Sequence, residues 1–431
     1  LRARTIPLAR PPWHNGCGQG ESPMRVSDRI YYGWFVLAAS AVCELLVMGA
    51  TAYASGLFVL PLQAEFHISR ADANSSILIL FLGGALVAPL VGKALDRYPI
   101  RLVVPAGVLL FSGAMIFIAS TGSLLLMALA LLVPASIGFM AAGPLTTSTL
   151  TTRWFHRRRG LALGIAAIAT SGGGLVVVPL LSRAIAAYGW RSGLLYEAIV
   201  IAAIVIALAL AVLRDNPAAM GLADHPESRG RNAPAASRPR WNEILGRRTF
   251  WIPTLALANI SGTCQAMVVT VVPYGVQLGI PATQAALFIS AFALCAAVTK
   301  IVAGLLADRI NQHLLILAAT LFMMAGQLLL CVAPGQGTLL AASCLSGISL
   351  GCALPTAAGL IAAGFGADAF GAAMGWTYAL MQAFSIIATR FIGFIYDGGH
   401  DYMPAFATFL ALTSCVFLAS LILAPRKQIA A

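Results

Sequence analysis

Gly92-Lys93-Ala94-Leu95-Asp96-Arg97 and Gly304-Leu305-Leu306-Ala307-Asp308-Arg309 decide the fold, because the second stretch repeats the first. Each sits where a long apolar run gives way to a short charged turn. A Gly inside such a run lets two helices approach closely, and the Asp-Arg pair marks the point where a helix leaves the membrane. One Gly-x-x-x-Asp-Arg is a weak signal. Two of them, each closing the second apolar run of its half, indicate a duplicated membrane protein.

The duplication extends along the chain. Gly92 and Gly304 are 212 positions apart, as are Asp96 and Asp308, and Pro61 and Pro273. Pro144 and Pro355 are 211 apart, and so are Gly160-Leu-Ala-Leu-Gly164 and Gly371-Ala-Ala-Met-Gly375. A nearly constant offset means two six-helix halves in the same order, a parallel repeat. The predicted fold class is an all-α membrane protein of twelve transmembrane helices, arranged as two pseudo-symmetric six-helix bundles.

Composition agrees. The 431 residues are 59% hydrophobic and 10% charged, with a mean hydropathy of +0.87. A soluble domain is near half apolar and a quarter charged, so this chain needs lipid around it. Its net charge of +12 raises the question of nucleic acid, but the basic residues are distributed as a membrane protein's are. The eight cysteines show no C-x-x-C pairing, and all but Cys17 lie in apolar runs, so they read as small packing residues. No metal cluster, nucleophile constellation or cofactor motif is found, and the chain does not read as an enzyme. Ser171-Gly-Gly-Gly174 and Gly347-x-x-x-Gly351 lack the strand-to-helix context of a phosphate loop.

Apolar runs of roughly 20 residues or more fall at 33–58, 74–95, 102–120, 123–149, 160–187, 190–213, 250–276, 283–307, 313–332, 337–364, 370–396 and 403–424. The expected organisation is a tail over 1–29, a first bundle over 30–213, a linker over 214–249, a second bundle over 250–425 and a tail over 426–431. Residues 1–23 have no apolar core of a signal peptide and read as a start-site error or a disordered tail, with Met24 as the natural start. The linker arginines suit an anionic membrane surface or plain solvent equally. With both ends inside, the inner segments hold 22 of the 27 Lys plus Arg, and the outer loops hold Arg70, Arg183 and Arg191. That asymmetry places both termini in the cytoplasm. High Ala and Gly usage fits a GC-rich bacterium and hence an inner membrane.

The two remaining cations, Lys300 and Arg390, lie inside predicted spans, as do Glu44 and Glu197. A mid-membrane charge costs about 2.5–3.5 kcal/mol on the insertion scale, so each needs a reason. At 1.5 Å per residue, Lys300 is about 12 Å from the inner edge, Arg390 about 10 Å from the outer edge, and Glu44 about 15 Å in. Glu197 is nearer the outer end of helix 6 and is expected to snorkel out. Subtracting the repeat offset maps Lys300 to Ala88, Arg390 to Pro179 and Glu44 to Ala256. Charges that break the repeat are better candidates for ligand or proton chemistry than residues that obey it. The alternative for Glu44 is a pairing that only holds the bundle together. Two cations against one acid suit an anionic cargo. Uncharged candidates in the same layer are Tyr53, Asn259, Gln265, Tyr274, Trp376, Tyr378 and Gln382, each equally able to serve as interhelical packing.

Gly92-x-x-x-Asp96-Arg97 between helices 2 and 3, repeated as Gly304-x-x-x-Asp308-Arg309 between 8 and 9, resembles the loop motif of the major facilitator superfamily. The resemblance implies that Gly92, Asp96, Arg97, Gly304, Asp308 and Arg309 gate the conformational change, bonding across helices and to a neighbouring helix end. Tyr32-Gly33-Trp34, Trp154-Phe155-His156-Arg157-Arg158-Arg159-Gly160-Leu161-Ala162-Leu163-Gly164, Tyr188-Gly189-Trp190-Arg191 and Pro273-Tyr274 are similar to the monocarboxylate-porter and oxalate:formate-antiporter branch. The similarity covers residues 30 to about 425. In that branch a helix-8 Arg, four residues before a Gly, binds the substrate carboxylate. Here Lys300 stands four before Gly304, which keeps the charge and loses the fork. The porters' proton-coupling Asp is replaced by Ala296, and their helix-1 Lys is missing near Tyr53, Ala54 and Ser55. The antiporters carry Arg then Lys on helices 8 and 11, where this chain carries Lys300 then Arg390.

These readings imply secondary transport of a small organic anion by alternating access, by a monomer and without a cofactor. A proton symporter of a monocarboxylate comes first, with Lys300 anchoring the carboxylate, Glu44 accepting the proton and Arg390 either holding a second acidic or polar group or neutralising Glu44 between cycles. An anion exchanger using both cations, with a counter-anion in place of the proton, is second. An efflux pump for apolar compounds or a non-transporting sensor is third.

Overall fold

The computed structural model describes residues 31–222, 241–332, 335–399 and 401–423. The expectations for residues 1–29, for linker residues Arg229, Arg231, Arg238 and Arg240, and for Arg426 and Lys427 lie outside those residues. Among the described residues, twelve helices are long and apolar enough to cross a membrane, as the apolar runs predict. In chain order they are α1 (Gly33–Phe66), α2 (Arg70–Arg97), α3 (Ile100–Ser120), α4 (Leu124–Trp154), α5 (Arg159–Tyr188), α6 (Trp190–Ala211), α7 (Arg248–Gln277), α8 (Ala282–Ala307), α9 (Gln312–Val332), α10 (Gln336–Phe365), α11 (Phe370–Gly399) and α12 (Met403–Leu423). Large apolar side chains such as Leu86, Leu102, Leu175, Leu294 and Ile422 are exposed, as lipid-facing positions must be.

Two helices run further than hydropathy suggests. The middle of α1 rewinds, with Gly49–Tyr53 as a π turn and Ala54–Phe58 as 3-10, and the helix then continues to Phe66. α4 loosens to a π turn over Leu131–Ala135 around Pro134, bends at Gly143 and restarts on Pro144. Pro lacks the donor that the ladder needs and is tolerated at a helix start. Beyond Pro144 a polar run, Thr146-Thr147-Ser148-Thr149-Leu150-Thr151-Thr152, stays buried and helical. The Thr149 hydroxyl donates to Leu145 O at 2.7 Å, and the Thr151 hydroxyl to Thr147 O at 2.7 Å. Bonding back into the helix satisfies hydroxyls that a hydropathy average counts as unfavourable.

The aromatic residues that open α1 close one end of the first half. Tyr31 donates to Trp154 O at 2.6 Å, Tyr32 donates to Val212 O at 2.9 Å, and Trp154 Nε1 donates to Arg214 O at 2.9 Å. Trp34 packs edge-on against Phe155, with centroids 4.7 Å apart. These contacts tie α1, α4 and the end of α6 together at the end that carries the repeated motifs.

The two halves meet chiefly at two crossings, α2 with α11 and α5 with α8. Glycines let the backbones touch there. A Cβ on Gly371 would stand 2.6 Å from both the Gly92 carbonyl and Asp96 Oδ1, and one on Gly304 would stand 2.6 Å from the Gly160 carbonyl. Gly164 abuts the Lys300 carbonyl, and Gly375 abuts the Ala88 carbonyl. The 211–212 offset thus has a structural cause. It relates contact points that must lack side chains in both crossings.

Candidate functional site

The aspartates of the repeated motif build the closure of the motif-bearing end. Asp96 accepts from Gly371 N at 3.1 Å and Ala372 N at 2.7 Å, in the first turn of α11. Asp308 accepts from Gly160 N at 2.6 Å and Leu161 N at 2.9 Å, in the first turn of α5. Each carboxylate therefore satisfies open N–H groups on a helix of the other half, where the helix dipole favours negative charge. The arginine partners differ from expectation. Asp96 is paired at 3.2 Å with Arg153 on α4, which also donates to Leu95 O at 2.7 Å. Arg97 is exposed beside the Tyr98 ring, and Arg309 is exposed. The aspartates and glycines do the bridging, and the adjacent arginines do not join them.

Deeper in, Glu44 and Lys300 are both buried, at 3% and 7% exposure. Glu44 lies on the inward stripe of α1 with Ser40, Val47 and Thr51, the i, i+3, i+4 spacing of a packed face. Lys300 shares the small-residue face of α8 with Ala296, Ala303 and Ala307. Its ammonium donates to Ala167 O at 2.9 Å and to Thr170 Oγ1 at 3.0 Å, both on α5. Glu44 stands in the field of Lys300, with the Thr147 hydroxyl within hydrogen-bonding reach. Tyr378 on α11 stands in the field of Glu44, close to Ser148. An acid from one half and an amine from the other thus lie buried within each other's field, near hydroxyls contributed by α4, α5 and α11. Such an arrangement can hold an anionic group and move a proton.

The structure places the other sequence candidates elsewhere. Arg390 is exposed on the same side of α11 as Ile387 and Phe394, positions i−3 and i+4 from it, whereas Tyr378, Gln382 and Ser385 are buried. Asn259 turns toward α12 and donates to Thr413 Oγ1 at 2.9 Å. Tyr274 packs against Tyr402 and Phe406, with centroids 5.5 and 5.3 Å away. Tyr53 lies over Gly174 of α5, Gln265 is half-buried on α7, and Trp376 is half-buried against the main core. Gln382 reaches Gly84 on α2. Thr147, Ser148 and Thr170 were not singled out from the sequence. The density of hydroxyls after Pro144, in an otherwise apolar chain, was the available signal. A separate, mostly apolar cavity of about 350 Å³ lies inside the first half, lined by Thr51, Phe58, Leu80, Met115, Met127 and Trp190 among others.

Glu197 does not reach the outer interface. Both carboxylate oxygens are buried without a hydrogen-bond partner among the described residues. An ionised, unpartnered carboxylate in an apolar interior costs several kcal/mol. Glu197→Gln is therefore expected to raise the thermal midpoint at pH 8 by a few degrees (about 1 °C for each kcal/mol in a chain of this length) and by less at pH 5. Differential scanning fluorimetry at the two pH values checks this, and a lowered midpoint at pH 8 would refute it.

Comparison with known proteins adds to this geometry. Residues 40–277 and 255–431 match the profile described as Major Facilitator Superfamily. Monocarboxylate transporter 11 of Mus musculus is 29% identical over 402 residues, covering 91% of this chain and 86% of that protein. The oxalate:formate antiporter of Oxalobacter formigenes is 24% identical over 258 residues, covering 58% of this chain and 57% of that protein. Among solved structures, a double-tryptophan variant of XylE superposes with a TM-score of 0.72 at 16% identity, covering 91% of this chain and 96% of that one.

Proposed function

The chain belongs to the Major Facilitator Superfamily and is a multi-pass secondary transporter, and from that premise we propose that it carries a small monocarboxylate together with a proton. The observation that carries this reading is the burial of Glu44 from the first half and of Lys300 from the second within each other's field. In the proposed cycle the Lys300 ammonium holds the carboxylate, because a charge-assisted hydrogen bond offsets desolvation of the anion. Glu44, relieved of its cation, takes the proton that makes the loaded site neutral. Thr147, Ser148 and Tyr378 orient both groups. The empty carrier returns with Glu44 and Lys300 compensating each other. The names of the monocarboxylate and oxalate:formate relatives are in keeping with an organic anion.

The motif-bearing end is proposed to face the cytoplasm of a bacterial cell, with both termini inside. Lys93, Arg97, Arg101, Arg153, Arg157 and Arg158 lie at that end, against Arg183 and Arg191 near the other. The carrier is proposed to act as a monomer, with each half presenting one face of the central site.

Uptake of labelled small carboxylates into proteoliposomes, with and without an imposed pH gradient, tests the reading. Accumulation that a protonophore abolishes is the expected result. Uptake that ignores the gradient and needs internal anion would replace symport with exchange. If no carboxylate moves, the cargo assignment fails.

A further inference from the structure

We propose that Thr170 and the Ala167 carbonyl compete with the substrate for the Lys300 ammonium, so that loading a carboxylate releases α5 from α8. This rests on reading Lys300 as the carboxylate anchor. α5 is held to α8 in three ways. Asp308 caps its first turn, the Gly160–Gly304 and Gly164–Lys300 contacts seat its backbone, and the Lys300 side chain reaches across to it. Only the third uses a group that an anion would claim.

The bonds that tie Lys300 to the α5 oxygens are weak for a buried cation. An ammonium has three donors, and two of them go to uncharged oxygens, at 2.9 and 3.0 Å. Those oxygens are also shared, because the Thr170 hydroxyl donates to the same Ala167 carbonyl. Hydrogen bonds between two ionised groups are roughly twice as strong as neutral ones. A carboxylate arriving at Lys300 therefore outcompetes α5, and the freed Thr170 hydroxyl keeps Ala167 O satisfied. Withdrawal of Lys300 leaves the two oxygens still hydrogen-bonded to each other.

The arrangement occurs once in the pseudo-symmetric pair. By the repeat offset, Lys300 corresponds to Ala88 and Ala167 to Tyr378. The α5–α8 crossing therefore sets a long cation opposite an alanine, and the α2–α11 crossing sets an alanine where the cation would be. Backbone contacts obey the repeat at both sites, with Gly164 on the Lys300 carbonyl and Gly375 on the Ala88 carbonyl. The added function thus rests on one side chain and the α5 oxygens it reaches, and substrate binding loosens one crossing before the other. Thr170 is a positioning residue in this scheme and acts through Lys300.

Thr170→Val, which keeps the shape and deletes the hydroxyl, tests the idea beside Thr170→Ser, which keeps the hydroxyl. In carboxylate uptake, Thr170→Val is expected to lower KM by about fivefold, the change made by one neutral hydrogen bond of about 1 kcal/mol, without a matching rise in Vmax. Without substrate, it should also speed hydrogen exchange over residues 160–170. Thr170→Ser should restore the parent values. An unchanged or higher KM in Thr170→Val with uptake retained, or Thr170→Ser behaving like Val, overturns the proposal. A purely structural hydroxyl predicts weaker binding, the opposite sign. If Thr170→Val does not fold, the parent protein decides. Adding the transported carboxylate should accelerate exchange over 160–170 and saturate at the KM, and no acceleration overturns the proposal. If the parent moves no carboxylate at all, the cargo assignment has failed, and the tie is then judged by substrate-free exchange alone, where unchanged exchange in Thr170→Val overturns it.

Discussion

Lys300→Ala is expected to lower carboxylate uptake by about a hundredfold while leaving a folded, membrane-inserted protein. A hundredfold corresponds to about 2.7 kcal/mol, within the range of one hydrogen bond to a charged group plus the loss of its compensation. Two contributions add at this position. The substrate loses the buried Lys300 ammonium, and Arg390 is exposed and does not replace it. Glu44 loses the positive charge in whose field it sits, so the empty carrier must keep that acid neutral by other means. Lys300→Arg keeps the charge and should fall between parent and Ala. The guanidinium is larger and planar, and Gly164 already abuts the Lys300 backbone. Glu44→Gln should separate the two roles by abolishing accumulation driven by a pH gradient while sparing exchange of internal for external carboxylate. Initial rates in proteoliposomes of matched protein content measure all three. Retention of half the parent rate by Lys300→Ala would sink the anchoring role.

The fold was legible because the repeat recorded contact points. Gly92 and Gly304 sit against Gly371 and Gly160, and a backbone contact tolerates no side chain in either half. Subtraction along the sequence therefore picked out residues that sit at the crossings, though not which helices cross. The central site was legible in part for a different reason. A charge inside an apolar run must be satisfied, which singled out Glu44 and Lys300. Depth along a helix follows from counting residues, but which way a side chain faces does not follow in a helix apolar all round. Arg390 has the right depth and shares a side with Ile387 and Phe394. Asn259 and Tyr274 are polar at plausible depth, yet Thr413 and the Tyr402–Phe406 cluster engage them.

The hydroxyls that complete the site were hidden by the same local bonding that lets them be buried. A Thr that donates to the carbonyl four residues back looks like a helix residue and not like a ligand. Arg153 was hidden by distance in sequence. It is 57 residues from Asp96, outside any motif, and becomes its partner only when α4 packs beside α2. Glu197 shows the opposite error. Its position near a helix end suggested an escape to water, and packing around α6 closes that route for both oxygens.

The second large effect is expected at the closure of the motif-bearing end, and it should be unequal between two residues that the sequence makes look equivalent. Asp96→Asn should reduce the closed population by about thirtyfold, and Asp308→Asn by about fivefold, or about 2 and 1 kcal/mol. Both changes remove a negative charge from a helix N-terminus and leave one acceptor oxygen where two N–H groups need one each. At Asp308 the residue is exposed, so water screens the loss, including the loss of its field at Arg159. At Asp96 the carboxylate is 4% exposed and its partner Arg153 is 9% exposed, so Asn strands a guanidinium in a nearly dry site. The asymmetry predicts a rescue. Arg153→Leu in the Asp96→Asn background should recover part of the loss, since removing both members leaves no unpaired charge, whereas Arg153→Leu paired with Asp308→Asn should simply add its own cost. Alternating access requires this end to close in every cycle, so uptake should fall in the same order. Gly160→Leu and Gly371→Leu set the lower limit. Their side chains would collide with the opposing backbone and with Asp308 or Asp96, which no rotamer change relieves. Hydrogen exchange in the first turns of α5 and α11, measured beside uptake, reads the closed population directly. Equal losses at Asp96 and Asp308 would show that the two crossings share the load evenly and that Arg153 contributes nothing to the closure.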